Sequence, residues 1–223
     1  MLIVHHLENS RSQRVLWLLE ELGVDYDVKR YERDKMTSLA PPEMKKIHPL
    51  GKSPTIEDNG KIIAETGAMI DYLLDYYGDG RLRPATGTDE FERYRYWLHY
   101  SEGSAFPPLL LKLILTRMAS AKMPFFVKPI AKKMAQGALD GFVDPQLKLH
   151  FDYIEAELGK SEWFAGADFT GADIIMSFPL EAAASRGAVN NKAPNIAAFL
   201  KRIHTRAAYQ KALERGGPYG IVK

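Results

Sequence analysis

The sequence predicts a small α/β domain followed by an all-helical one, and three observations carry that prediction. The first is residues 51–66, GKSPTIEDNGKIIAET, which read as strand, tight turn, strand and helix start. The second is a change of composition at residues 78–88, GDGRLRPATGT, whose Gly, Pro and Thr content marks a linker. The third is that the periodic segments after Asp89 all have helical spacing. The expected boundaries are 1–78 for the first domain, 79–88 for the linker and 89–223 for the second.

Leu2, Ile3 and Val4 form a short apolar strand that looks buried on both faces. His5 to Asn9 then read as a loop. Ser10 opens SRSQRVLWLLEELG, where Val15, Leu18, Leu19 and Leu22 share a helical stripe and Gly23 stops the helix. Asn9, Ser10 and Ser12 each fit its N-cap. Residues 26–31 alternate as a second strand, which completes a parallel β-α-β crossover. Residues 33–48 are polar and irregular, with a short helix starting at Pro41-Pro42. In the hairpin, Asp58-Asn59-Gly60 accepts the positive φ angles of a type I′ turn. Pro54 opens the first hairpin strand, where a missing N–H does least harm. The Ser53–Pro54 bond is a candidate cis bond, which would turn the Ser53 N–H and C=O outward to pair with an extended peptide. Ala68, Met69, Tyr72, Leu73 and Tyr76 recur at helical spacing, so a helix runs from Thr66 to about Tyr77. Its start offers free N–H groups and partial positive charge to a carboxylate.

In the second half, residues 89–118 read as one long helix that Pro107-Pro108 should kink or break. Residues 124–158 hold one or two more, interrupted near Gly141 and Pro145. Thr170 and Asp173 fit a capping box, with Phe169 and Ile174 as its hydrophobic staple. The helix they open, 171–185, is apolar nearly all round and should be the buried centre of a bundle, bent at Pro179. Residues 194–203 and 207–214 are shorter amphipathic helices, and the tail GGPYGIVK has no regular pattern.

Composition bounds the function. The 223 residues suffice for one large domain or two modest ones, and 46% hydrophobic content is ordinary for a globular protein. A net charge of +2 is too balanced to argue for nucleic acid. The absence of cysteine excludes disulfides, thiolate metal sites and cysteine nucleophiles. MLIVHHLENS has neither the basic region nor the long apolar run of a signal peptide. No apolar stretch is long enough to span a membrane. A cytoplasmic protein without metal, membrane or nucleic-acid partner is the expectation.

The segments LENSRSQRVLWLLEEL, HPLGKSP, IAET and FTGADI match, in order and spacing, the signature segments of the soluble glutathione S-transferases, which the chain resembles over nearly its whole length. APPEMKKIHPLGKSP is similar to microbial and fungal members. The resemblance implies a thioredoxin-like βαβ-ββα domain, glutathione as co-substrate, small hydrophobic electrophiles as partners, and a homodimer. It implies thiol conjugation, with reduction of organic hydroperoxides as a second activity; the alternative is a non-catalytic interaction or regulatory protein on the same fold.

The chemistry needs a thiolate. A free thiol titrates at about 8.5, and helix N-termini or cations lower that to roughly 3.5–7.5. Ser10, at such an N-terminus, resembles the hydroxyl of serine-type members, which donates to the sulfur and stabilises the anion without acting as nucleophile. Asn9 and Ser12 are alternatives, with His5 and His6 behind them. Ser53, before Pro54, resembles the position whose backbone pairs with the cysteinyl unit. Glu65 and Thr66 resemble the pair holding the γ-glutamyl end, and Lys52 a cation near the glycine carboxylate. Arg11 and Arg14 add positive potential or face solvent. Tyr94, Trp97, Tyr100, Ser104 and Phe106, with Leu111 and Leu115 beyond, are core or the wall of an electrophile cleft.

Overall fold

The computed structural model describes residues 1–187 and 192–222. Strand β1 (Leu2–Leu7) is central in a four-stranded mixed sheet of order β2-β1-β3-β4. It pairs in parallel with β2 (Asp27–Tyr31) and antiparallel with β3 (Thr55–Asp58), which pairs antiparallel with β4 (Lys61–Ala64). The strand runs three residues further than its apolar start indicates. His5, His6 and Leu7 are ladder residues, not loop, because β2 pairs with them through Lys29, Arg30 and Tyr31. Pairing with β2, and with β3 as far as His5, overrides the weak strand preference of two histidines.

Helix α1 (Gln13–Leu22) connects β1 to β2 and ends at Gly23, whose φ of 66° is the left-handed C-cap glycine accepts. Burial around α1 exceeds the expected stripe. Gln13, Arg14, Leu16 and Trp17 are buried as well, because the helix lies between the sheet-side core and two helices of the second half, at Gly171–Ala184 and Ala207–Gly216. A 3₁₀ turn at Pro42–Lys46 precedes the hairpin. The Ser53–Pro54 bond is cis, and Asn59 and Gly60 both take positive φ, as the turn chemistry requires. Helix α2 (Thr66–Tyr77) closes the first domain.

The segment after it is held at several points: Arg81 Nη2 donates to the Leu22 carbonyl at 3.1 Å, and Gly171 N–H to the Leu82 carbonyl at 2.9 Å. The second half is helical: α3 (Asp89–Tyr100), α4 (Phe106–Ser120), α5 (Lys128–Ala138), α6 (Asp144–Leu158), α7 (Gly171–Ala184), α8 (Pro194–His204) and α9 (Ala207–Gly216). The expected interruptions take one form twice. A π-helical stretch, Ser101–Ala105, joins α3 to α4 just before Pro107-Pro108, and another, Leu139–Val143, joins α5 to α6 just before Pro145. Widening the helix re-spaces the carbonyls that a proline cannot bond, so each rod continues instead of breaking.

Helix α7 is buried almost throughout and runs through Pro179. Its capping box is present: Ala172 N–H donates to Thr170 Oγ1 at 3.2 Å, and Thr170 N–H to Asp173 Oδ2 at 2.8 Å. Asp173 also accepts the buried Phe164 N–H at 2.8 Å. Burial pushes its carboxyl up to about 7, against the pull of those donors. Asp173→Ala removes the cap and orphans a buried N–H, so a loss of about 2–4 kcal/mol is expected in urea unfolding. A loss below about 1 kcal/mol would show the box to be dispensable.

Among the described residues no helix is long and apolar enough to cross a membrane. Among the described residues no group of three His, Asp or Glu is arranged to hold a metal ion.

Candidate active site

The loop from β1 to α1 turns at Asn9, which takes a φ of 49°, and delivers Ser10 and Ser12 to the start of α1. Both serines are buried, Ser12 completely. Ser10 Oγ lies 2.7 Å from Ser12 Oγ and accepts the Ser12 N–H at 3.2 Å. Ser12 Oγ reaches His6 Nδ1 at 2.8 Å. Alternation along β1 puts His6 on the α1 side of the sheet and His5 on the other, where its Nδ1 meets the Tyr31 hydroxyl at 2.9 Å. Burial, with Arg30 adding to it, pulls the His6 pKa down to about 4; burial also lowers that of His5.

Ser53 joins Ser10 from the hairpin, the two hydroxyl oxygens being 3.5 Å apart. Its side chain is fixed by Leu7 N–H, donating at 3.2 Å, and by the His5 carbonyl, accepting at 3.1 Å. The Pro54 ring behind it is buried. Lys52 is exposed at the rim.

Glu65 precedes α2 with φ 70° and ψ 122°, and Thr66, buried, is the first residue of the helix. A non-glycine residue there holds strain on the order of 1–3 kcal/mol, which points to function. Glu65→Gly is expected to raise stability by about 1 kcal/mol while weakening binding at the α2 start. Thermal melts and ligand titration check the two halves separately.

Arg14 ties these pieces together from α1. Its guanidinium, 1% exposed, donates to Glu102 Oε1 at 2.6 Å, to the Ile175 carbonyl at 2.6 Å and to Thr66 Oγ1 at 3.4 Å. Arg11 bonds the other oxygen of Glu102 and lies over the Phe106 ring at 4.8 Å. Burial alone would raise the Glu102 carboxyl; Arg14 and Arg11 overcome it and hold the group below its usual range. Thus neither arginine simply faces solvent.

The aromatic residues divide. Tyr94 is buried and donates to Asp71 Oδ1 at 2.8 Å. Trp97 is buried against Tyr153 and Phe164. Tyr100 is buried with its hydroxyl 2.6 Å from His150 Nδ1. All three belong to the main hydrophobic core. Phe106, the first residue of α4, is half-buried between Arg11 and Phe178, and Ser104, two residues before it within the π stretch, is half-buried as well.

Three contributors were invisible in the sequence. Glu102 and Phe178 enter from distant helices. The tail GGPYGIVK returns to the site: Gly220 N–H donates to Asn9 Oδ1 at 2.6 Å, and the Tyr219 hydroxyl to Glu181 Oε2 at 3.0 Å. Glu181, on α7, also accepts from Tyr209 at 2.6 Å, so a buried carboxylate anchors the tail. At Gly216 α9 packs on α1 without a side chain; a Cβ there would stand 2.6 Å from Gln13 Oε1 and 2.9 Å from Leu16 Cδ1, so those side chains would have to shift.

Comparison with known proteins agrees with this arrangement. The family models described as Glutathione S-transferase, N-terminal domain, and Glutathione S-transferase, C-terminal domain, match residues 1–75 and 116–207. Glutathione S-transferase 1 of Saccharomyces cerevisiae is 36% identical over 225 aligned residues, covering 97% of this chain and 96% of that protein. A crystal structure of a glutathione S-transferase from Actinobacillus pleuropneumoniae superposes with a TM-score of 0.81 at 38% identity, covering 97% of this chain and 93% of the other. A sphingomonad glutathione S-transferase, solved in complex with glutathione, shares the fold with a TM-score of 0.73 at 22% identity, over 96% of this chain and 98% of its own. A mixed sheet with two helix starts meeting beside a serine, an all-helical second half and these matches lead to one conclusion: the chain belongs to the glutathione S-transferase family.

Proposed function

We propose that this protein binds glutathione and activates its thiol for conjugation to small hydrophobic electrophiles. The observation that carries the reading is that Ser10, just before α1, stands 3.5 Å from Ser53, just before β3, while Arg14 of α1 reaches Thr66 at the start of α2. An extended tripeptide suits the backbone at Ser53, which precedes the paired part of β3. Ser53 offers its backbone to the cysteinyl unit. Thr66, at a helix start with free N–H groups, receives the γ-glutamyl carboxylate. Glu65 faces the ammonium, and Lys52 supplies a point charge for the glycine carboxylate.

The sulfur then lies at the mouth of α1. Helix-start N–H groups and the Ser10 hydroxyl favour the charged form, so the proton leaves to solvent near neutral pH. The thiolate attacks an electrophile held against Phe106 and Ser104, with Arg11 beside the ring. The sphingomonad relative's glutathione complex supports the ligand assignment. Reduction of organic hydroperoxides draws on the same thiolate.

The working unit we propose is a cytoplasmic homodimer serving detoxification, with the glutathione-binding domain at 1–78, a linker at 79–88 and the electrophile-binding domain at 89–223. Exposed Phe125, Phe126, Ile130 and Met134 supply apolar surface for a second copy to cover. Titration calorimetry with glutathione, then turnover of a chloronitrobenzene and of an organic hydroperoxide, tests the reading. Heat without turnover of either would favour a binding or regulatory protein; no heat would end it.

A further inference from the structure

The hydroxyls around Ser10 have few ways to share their protons. A serine gives one proton and accepts at two lone pairs, while a carbonyl only accepts. Ser53 gives its proton to the His5 carbonyl and accepts from Leu7 N–H. The Gly216 backbone faces the His6 ring as an acceptor, and with Nδ1 held by Ser12 the second ring nitrogen is the one left to donate to it. In the neutral ring Nδ1 is then the acceptor. Burial keeps the ring neutral, and the charge facing it, Arg30 of β2, works in the same direction; α1 contributes only Ser12 and Gln13, and α9 the Gly216 backbone.

Ser12 therefore donates to His6 Nδ1 at 2.8 Å, and the Leu7 carbonyl at 3.3 Å is a second acceptor for it. Its one proton is committed there, so it meets Ser10, 2.7 Å away, with a lone pair. Ser10 is the donor of that bond, while its own oxygen accepts the Ser12 N–H. In the ligand-free protein the Ser10 proton points to Ser12.

We infer that Ser12, held as an acceptor by His6, is a positioning residue that competes with the glutathione sulfur for the single proton of Ser10. This rests on the reading of Ser10 as the donor to the thiolate. When the sulfur arrives, the Ser10 hydroxyl hydrogen turns from Ser12 to sulfur. One hydrogen bond breaks as another forms, and no covalent bond changes. The anion is the stronger acceptor, so the exchange proceeds, but its gain is reduced by the bond given up. Removing the competitor strengthens thiolate stabilisation.

Three measurements test this. Side-chain nitrogen NMR on the ligand-free protein should find His6 neutral at pH 7 as the Nε2–H tautomer. Ser12→Ala should lower the pKa of bound glutathione, read from thiolate ultraviolet absorbance, by about 0.5–1 unit, with the kcat/KM pH profile moving equally. Ser12→Thr, which keeps the hydroxyl, should retain the parent value, and Ser12→Ala should have no effect in a Ser10→Ala background. An Nδ1–H tautomer, an unchanged or raised pKa, or an effect that survives without Ser10 would overturn the inference. If Ser12→Ala does not fold, the tautomer and Ser12→Thr still decide it. A parent protein that gives no heat with glutathione overturns the function reading instead, and the tautomer still fixes the direction of the chain.

Discussion

Ser10→Ala is expected to raise the pKa of the bound glutathione thiol by about 1–2 units and to cut kcat/KM near neutral pH about 10- to 100-fold. A hydrogen bond to a charged group contributes roughly 1.5–3 kcal/mol, and one pKa unit corresponds to about 1.36 kcal/mol. The tripeptide's other anchors are untouched, so its dissociation constant should change little. Thiolate absorbance against pH reads the first effect, and steady-state rates with a chloronitrobenzene read the second. Stability should fall by only about 1 kcal/mol, through loss of the acceptor for Ser12 N–H. An unchanged titration would move the role to the backbone N–H groups of α1. The side-chain amide of Asn9 and the Ser12 hydroxyl would be the other candidates, since the bond from Gly220 occupies only the Asn9 oxygen.

The largest stability effect should come from Glu102→Gln. Arg14 is fully charged in any folded protein and its side chain is 1% exposed. With its carboxylate gone the guanidinium is left without a counter-charge in the interior, a change expected to cost about 3–5 kcal/mol. For a chain of this size that lowers Tm by roughly 6–20 °C. The effect should be unequal across pH. Glu102 is held below its ordinary value of 4.5, so its contribution is present above that value and disappears as pH falls through the folded-state pKa. The difference between parent and variant should therefore narrow on the acid side. Arg14→Met with Glu102→Leu, which removes both charges, should recover much of the loss. Because Arg14 also reaches Thr66, Glu102→Gln should raise the KM for glutathione. A variant losing less than about 1 kcal/mol would show that the pair behaves as a surface contact.

How much was legible in advance depends on how locally each feature is determined. The hairpin, the Gly23 stop and the Thr170–Asp173 box rest on residues within a few positions of each other, and all three stand in the structure. The cis bond at Ser53–Pro54 also belongs to this group. The ladder through His5 to Leu7 did not show, because only β2 beside all three, and β3 beside His5, make those residues a strand. The aromatic stripe of α3 was readable as a stripe, but not as core or cleft. Tyr94 finds Asp71 and Tyr100 finds His150, partners 23 and 50 positions away. Glu102 lies 88 positions from Arg14, and no periodicity reports such a pair. Ser10 and Ser12 look interchangeable in the string SRS; depth separates them, Ser12 lying completely buried next to His6.

The bond from Gly220 to Asn9 spans 211 positions. During synthesis the first ten residues leave the ribosome long before the last few do. The loop that presents Ser10 can be held early by Arg33, which bonds the carbonyls of Glu8 and Asn9, but its brace from the tail comes only after residue 220 is made. A nascent first domain could already hold its sheet and still present that loop unfinished, and the same loop would be the first part to loosen when a protease nicks the stretch after Gly216.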